Sequence, residues 1–146
     1  METIKLNNGV EMPQLGYGVF QVSPEEAERC VADALSIGYR MIDTAQAYQN
    51  EEGVGNAIRK SSIKREDIFV VDKIWMSAYE GDTPARSIDE SLRKLGTDYI
   101  DLMLLHQPFR DYYGAYRALE DAYRKGKLRA IGVSNFQPNH FIDLAT

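Results

Sequence analysis

Asp43, Tyr48, Lys73 and His106 give this chain a carboxylate, a phenol, an ammonium and an imidazole at suggestive places in the sequence. Three of them end apolar, strand-like runs: residues 39–42 end in Asp43, 68–71 lead to Lys73, and 99–105 end in His106. A fourth run, 130–133, ends in Ser134-Asn135, and Tyr48 follows Asp43 by five residues. One strand ending in a polar group means little, but four in succession suggest a shared site. The chemistry such a set could perform is proton transfer to a polarised oxygen. A phenol with a pKa of about 10 is a poor proton donor at neutral pH unless its surroundings retune it. A nearby ammonium does so by favouring phenolate, and a carboxylate holds the ammonium in place. A neutral imidazole can hydrogen-bond and polarise the oxygen that receives the proton.

These residues need elements to position them. Residues 4–12 alternate around Asn7-Asn8-Gly9, as in a tight β-hairpin, and 15–20 read as a short strand loosened by two glycines. Ser23-Pro24-Glu25-Glu26 opens a helix with Ser23 as N-cap, Ala27, Val31, Ala34 and Leu35 supply its apolar stripe, and Gly38 closes it. The same grammar then repeats. Amphipathic segments at 51–60, 84–95 (capped by Thr83, ended by Gly96) and 114–125 (ended by Gly126) separate the strand runs. Residues 137–146 look like the opening of a fifth helix.

Strand centres recur about every thirty residues, the length of a βαβ unit, which predicts a parallel α/β sheet with helices outside it. A doubly wound sheet usually carries a Gly-rich phosphate fingerprint after its first strand. Gly16-Tyr17-Gly18 lacks the third glycine and lies within a strand. The favoured fold is a (β/α)8 TIM barrel, of which the chain supplies the N-terminal hairpin and about the first five strands and four helices. Residues 1–146 would then form one incomplete domain without an internal linker. In a parallel barrel the reactive side chains gather at the C-terminal ends of the strands.

The motifs resemble those of the aldo-keto reductase family. The segment 43–51, from Asp43 through Tyr48 to Glu51, is similar to its aspartate-to-tyrosine motif, and Lys73-Ile74-Trp75 to its lysine motif. Leu104-Leu105-His106-Gln107-Pro108 resembles its histidine motif, and 126–136 its stretch entering the nicotinamide site. The resemblance implies an NADPH-dependent oxidoreductase, NADH not excluded, that reduces aldehydes or ketones by hydride transfer. Tyr48 would donate the proton, with Lys73 tuning it, Asp43 orienting Lys73 and His106 holding the substrate oxygen. It further implies that Ser134 and Asn135 bind the nicotinamide carboxamide, with Asp43 and the backbone at Val19 and Phe20 bordering the cofactor. Phe20, Trp75 and Gln107 would line the substrate pocket. Phe20 and Gln107 stand where many members carry tryptophan, and a polar Gln107 wall would favour hydroxylated or dicarbonyl substrates. Asp72, beside the lysine, is unusual, and strand alternation points it away from Lys73.

Other readings of the same residues stay open. Asp43 and Lys73 could be a structural ion pair, Ser134-Asn135 a helix cap, Trp75 a core residue. Cys30 reads as inert core, His140 as helix surface, Asp101 as structural. The basic groups Lys60, Lys64, Arg65 and Arg124, Lys125, Lys127, Arg129 read as solvated faces near helix ends. Two distant histidines and one cysteine cannot supply the usual metal-ligand set, and no G-x-S-x-G elbow is present. A formal charge of −5 disfavours nucleic acid and anionic membranes as partners. With one cysteine, no apolar run of bilayer length and no secretory pattern at the start, the cytosol is the expected compartment. A non-catalytic barrel, a truncated half-barrel acting only through self-association, and an unrelated βα binding module are the alternatives. Five strands leave open sheet edges and an uncovered apolar face. The chain alone is therefore expected to be inactive, or stable only with the missing C-terminal half or another copy of itself.

Overall fold

The computed structural model describes residues 2–146. It opens on an antiparallel hairpin, β1 (Thr3–Lys5) and β2 (Glu11–Pro13), with Ile4 opposite Met12. The connection is wider than a tight turn. The Leu6 N–H donates to the Val10 carbonyl, the Gly9 N–H donates to the Leu6 carbonyl, and Gly9 takes φ 88°. The Asn8 side chain then donates to the Arg129 carbonyl at 2.8 Å, which ties the hairpin to the far end of the chain.

Five parallel strands follow: β3 (Tyr17–Gly18), β4 (Met41–Asp43), β5 (Phe69–Ile74), β6 (Leu102–Leu105) and β7 (Ile131–Val133). Their order in the sheet is their order in the chain. The helices α1 (Pro24–Ser36), α2 (Glu51–Lys60), α3 (Thr83–Leu95), α4 (Tyr112–Arg124) and α5 (Pro138–Ala145) alternate with them. Parallel crossovers are right-handed almost without exception, so an order that never reverses puts every helix on one face. An open doubly wound sheet reverses its order to cover both faces, whereas a barrel does not.

Local chemistry explains the element ends. Ser23 is extended, its Oγ accepts the Glu26 N–H at 3.3 Å, and Pro24 opens α1 as expected. Gly96 ends α3 at φ 63°, the left-handed conformation that favours glycine, and a Cβ there would also have to push the Arg59 guanidinium aside. Three boundaries depart from expectation. The strand expected over 15–20 keeps only Tyr17–Gly18 in the ladder. Thr83 is the first residue of α3 rather than its cap, and the preceding Asp82 pairs with Arg86 instead of capping. Helix α4 starts at Tyr112 because the Asp111 carboxylate accepts the Gly114 N–H at 2.8 Å. Helix α5 begins after Gln137, so Ser134 and Asn135 are not its caps.

Register separates the two faces of the sheet. Ile42, Val70, Met103 and Leu105 face the helices and are fully buried. Met41, Asp43, Leu102 and Leu104 face the other way and are half-buried. At the N-terminal ends of the strands lies Asp101, structural as expected. It is 1% exposed, accepts the Val70 N–H at 2.9 Å, and is clamped by Arg65 (2.8 Å) and Arg129 (2.7 Å). Those two arginines are therefore structural partners rather than solvated cations. Cys30 is half-buried rather than core.

Candidate functional site

Asp43 ends β4 opposite Val71, and Lys73 lies two residues further along β5 on the same face. The Lys73 ammonium donates to Asp43 Oδ1 at 2.6 Å and to the Thr44 carbonyl at 3.0 Å. An ammonium has three N–H groups, so one remains uncommitted. The Tyr48 ring centroid lies 5.3 Å from Nζ.

Tyr48 sits on the short 3-10 turn Gln46–Tyr48, after which Gln49 takes the left-handed conformation at φ 58°. Two side chains staple this turn. Asn50 is buried, donates through Nδ2 to the carbonyls of Val19 and Val22 at 3.0 Å each, and accepts the Thr44 hydroxyl at 2.8 Å. Gln46 donates to the Ser87 carbonyl and to Ser91 Oγ, and accepts the Trp75 N–H at 3.1 Å. Sequence reasoning gave neither residue a role. The only signal was their place inside the Asp43–Glu51 segment, where an amide offers a donor and an acceptor at once.

His106, directly after β6, donates its backbone N–H to the Ile74 carbonyl at 3.1 Å. Its ring centroid lies 5.8 Å from that of Tyr48 and 5.1 Å from that of Trp75, edge-on to both. Burial pushes the imidazole pKa down, the Lys73 ammonium lowers it further, and Asp43 opposes the shift. Nδ1 is buried without a partner. A proton added there would have no acceptor, so the neutral ring protonated at Nε2 is the form that fits.

Around this cluster the remaining expected residues fall into place unevenly. Val19 is fully buried, with its N–H on the Asp43 carbonyl at 3.0 Å. Phe20 is 65% exposed with its ring 5.1 Å from Tyr48, a flank rather than a closed wall. Ser134 donates its N–H to the Leu105 carbonyl, and Asn135 (φ 61°) donates its side-chain amide to the His106 carbonyl at 2.9 Å and to Ser134 Oγ at 3.2 Å. Gln107 joins as the neighbour of His106. Its backbone is clamped by Tyr79, whose fully buried hydroxyl donates to the Gln107 carbonyl (3.0 Å) and accepts the Gln107 N–H (3.2 Å). Nothing in the sequence marked Tyr79 among nine tyrosines. His140, expected on a helix surface, instead meets Tyr112 and Phe136 edge-on with Nδ1 buried. Among the described residues no group of three or more His, Cys, Asp or Glu could hold a metal ion, and no helix is long and apolar enough to cross a membrane.

Comparison with known proteins places the chain in one family. The model of the aldo/keto reductase family matches residues 9–144. A glyoxal reductase of Bacillus subtilis is 48% identical over 145 residues, which cover 98% of this chain and 52% of the relative. A crystal structure of an aldo/keto reductase from Brucella melitensis superimposes with a TM-score of 0.96 at 46% identity, covering 98% of this chain and 57% of that one. A Bombyx mori aldo-keto reductase in complex with NADP gives a TM-score of 0.92 at 35% identity, over 99% of this chain and 53% of that one. The chain spans about half the length of the curated relatives it matches.

Proposed function

The chain belongs to the aldo-keto reductase family, and from that premise we propose that the whole protein reduces small aldehydes or ketones to alcohols with NADPH, NADH being the alternative donor. The observation that carries this reading is the Lys73 ammonium, bonded to Asp43 at 2.6 Å and 5.3 Å from the Tyr48 ring, with His106 beside the same ring. Its five strands and their helices are the first part of a (β/α)8 barrel.

The residues at the strand ends fit a nicotinamide. A carboxamide offers one acceptor and two N–H donors. Asn135 spends its amide N–H groups locally and keeps Oδ1 free to accept. Ser134 accepts from Asn135 and keeps its hydroxyl proton to donate. When bound, the dihydronicotinamide supplies the hydride. The chain's own groups do the rest. His106, neutral and presenting Nε2–H, hydrogen-bonds the carbonyl oxygen and draws charge toward it. Tyr48 gives its hydroxyl proton to that oxygen, and the Lys73 ammonium stabilises the charge left on the phenol oxygen. Asp43 and the Thr44 carbonyl hold Nζ where it can act. The Tyr79 clamp fixes Gln107 at the pocket wall, which favours hydroxylated or dicarbonyl substrates. The glyoxal reductase relative supports that preference.

Met41, Leu102 and Leu104 lie half-buried on the face opposite the helices. This supports a partner there, the remaining half of the barrel, and an isolated 146-residue chain without turnover. The test is NADPH oxidation by the whole protein with matched polar and apolar aldehydes. Tyr48→Phe removes the proton donor, so turnover should fall by about 10²–10⁴ while cofactor fluorescence quenching persists. Undiminished turnover in that variant defeats the assignment, and equal efficiency on both aldehydes defeats the substrate preference.

A further inference from the structure

Directly behind the Lys73 cluster, on the helix side of β5, lie two carboxyl groups with no part in the chemistry above. Asp72 is fully buried, and Glu51, the first residue of α2, is 1% exposed. Each keeps one oxygen without a donor: Oδ2 of Asp72 and Oε1 of Glu51 are both buried and unpartnered. Their other oxygens are engaged, Asp72 Oδ1 by the Lys73 N–H at 2.8 Å and Glu51 Oε2 by the Lys94 ammonium at 3.1 Å. The two carboxyls are close enough for each to act on the other's charge, and Ser91 adjoins Asp72.

Two carboxylate oxygens facing one another in a dry interior repel, and each lacks the hydrogen bond that burial demands. One proton cures both defects. We propose that Asp72 keeps its proton in the folded chain and donates it from Oδ2 to Glu51 Oε1. The resulting buried acid–carboxylate pair fixes the strand that carries Lys73 to the helix that follows Tyr48. Glu51 holds the charge that Lys94 balances. The surrounding groups leave the proton no better owner. From α3 come Lys94, committed to Glu51, and Ser91, which accepts from Gln46 of the 3-10 turn and whose hydroxyl, like the Lys73 N–H, opposes the upward push on Asp72 without cancelling it. From the neighbouring strands come Thr44, whose hydroxyl goes to Asn50, and the apolar Met103. Burial and the neighbouring Glu51 both push the Asp72 carboxyl well above the ordinary aspartate range. Asp72 is thus a positioning residue. Its bearing on turnover rests on the reductase reading, but the shared proton does not.

The test is made on the full chain and needs no turnover. In a carbon-13 NMR titration the Asp72 side-chain carboxyl should keep its protonated shift well above the pH at which an ordinary aspartate loses its proton. Titration of Asp72 near the ordinary aspartate value of about 4 overturns the proposal. Urea denaturation across pH gives a second reading against Asp72→Asn, whose amide can make the same donation. Between the ordinary aspartate value and its own raised one, Asp72 holds a proton in the folded chain that the unfolded chain releases. The folding constant of the parent relative to D72N should therefore fall about tenfold per pH unit as pH rises through that window. A ratio flat with pH contradicts the proposal. Asp72→Leu strands Glu51 Oε1 and the Lys73 N–H and should lose roughly tenfold to hundredfold in the folding constant. A D72L as stable as D72N also contradicts it.

Discussion

Replacing Asn50 by alanine should loosen the turn that carries Tyr48 without touching any reacting group. The side chain holds two carbonyls and one hydroxyl, those of Val19, Val22 and Thr44, at 2.8–3.0 Å. Leaving a buried polar group without its partner costs about 1–3 kcal/mol. Val19 and Thr44 are fully buried and bear that cost in full, whereas Val22 is half-buried and water can reach it. The sum is about 2–6 kcal/mol, a large part of the roughly 5–15 kcal/mol that holds a domain folded. Asn50→Asp is the sharper perturbation because it keeps the shape. At neutral pH it aims a carboxylate oxygen at two carbonyl oxygens where an N–H₂ stood, so it should destabilise at least as much as alanine. In acid the protonated carboxyl can donate again, and part of the loss should return. Trp75, the sole tryptophan, packs against His106 and reports unfolding by its fluorescence in urea. An Asn50→Asp chain as stable as the parent at neutral pH would refute the stapling argument.

Two further outcomes follow from buried charge. Asp101→Ala leaves Arg65 and Arg129 without their shared anion and the Val70 N–H without its acceptor. It should cost about 3–5 kcal/mol, read as a lowered urea midpoint. His106 binds its proton less readily folded than unfolded, so the unfolded chain takes up the proton first as pH falls. Stability should therefore decline as pH drops through about 6.5 toward the lower folded value, and His106→Gln should remove that part of the slope in urea titrations across pH.

Most of the site was legible because its residues end apolar runs, and a parallel strand that ends in a polar group delivers it to a common mouth. Asp43, Lys73 and His106 needed nothing more than that rule. Tyr48 needed its spacing from Asp43, because a turn residue carries no periodic signal of its own. The stapling amides Gln46 and Asn50 were invisible for the same reason. Their partners at Val19, Val22, Ser87 and Ser91 are tens of residues away, and single-sequence reasoning sees only neighbours. Tyr79 is the extreme case, as its target is the backbone of Gln107 and no residue type there advertises the bond. Arg65 and Arg129 misled because arginines near element ends usually face water. Here a buried carboxylate between them changed the balance.

Strand β5 brings these threads together. Its residues alternate so that Val71 and Lys73 face the side shared with Asp43 and Leu104, while Val70, Asp72 and Ile74 face the helices. A one-residue slip in register would exchange the two sets, burying the ammonium under α2 and α3 and turning Asp72 toward the mouth. Apolar burial on the helix side resists that slip through Val70 and Ile74. Asp72 adds a polar lock, because on the helix side its proton reaches Glu51, whose charge Lys94 balances, whereas on the inner face it would adjoin Asp43 after the balancing Lys73 ammonium had left. The placement of Lys73 is thus specified twice, by what its own side chain binds and by what its neighbour's cannot leave.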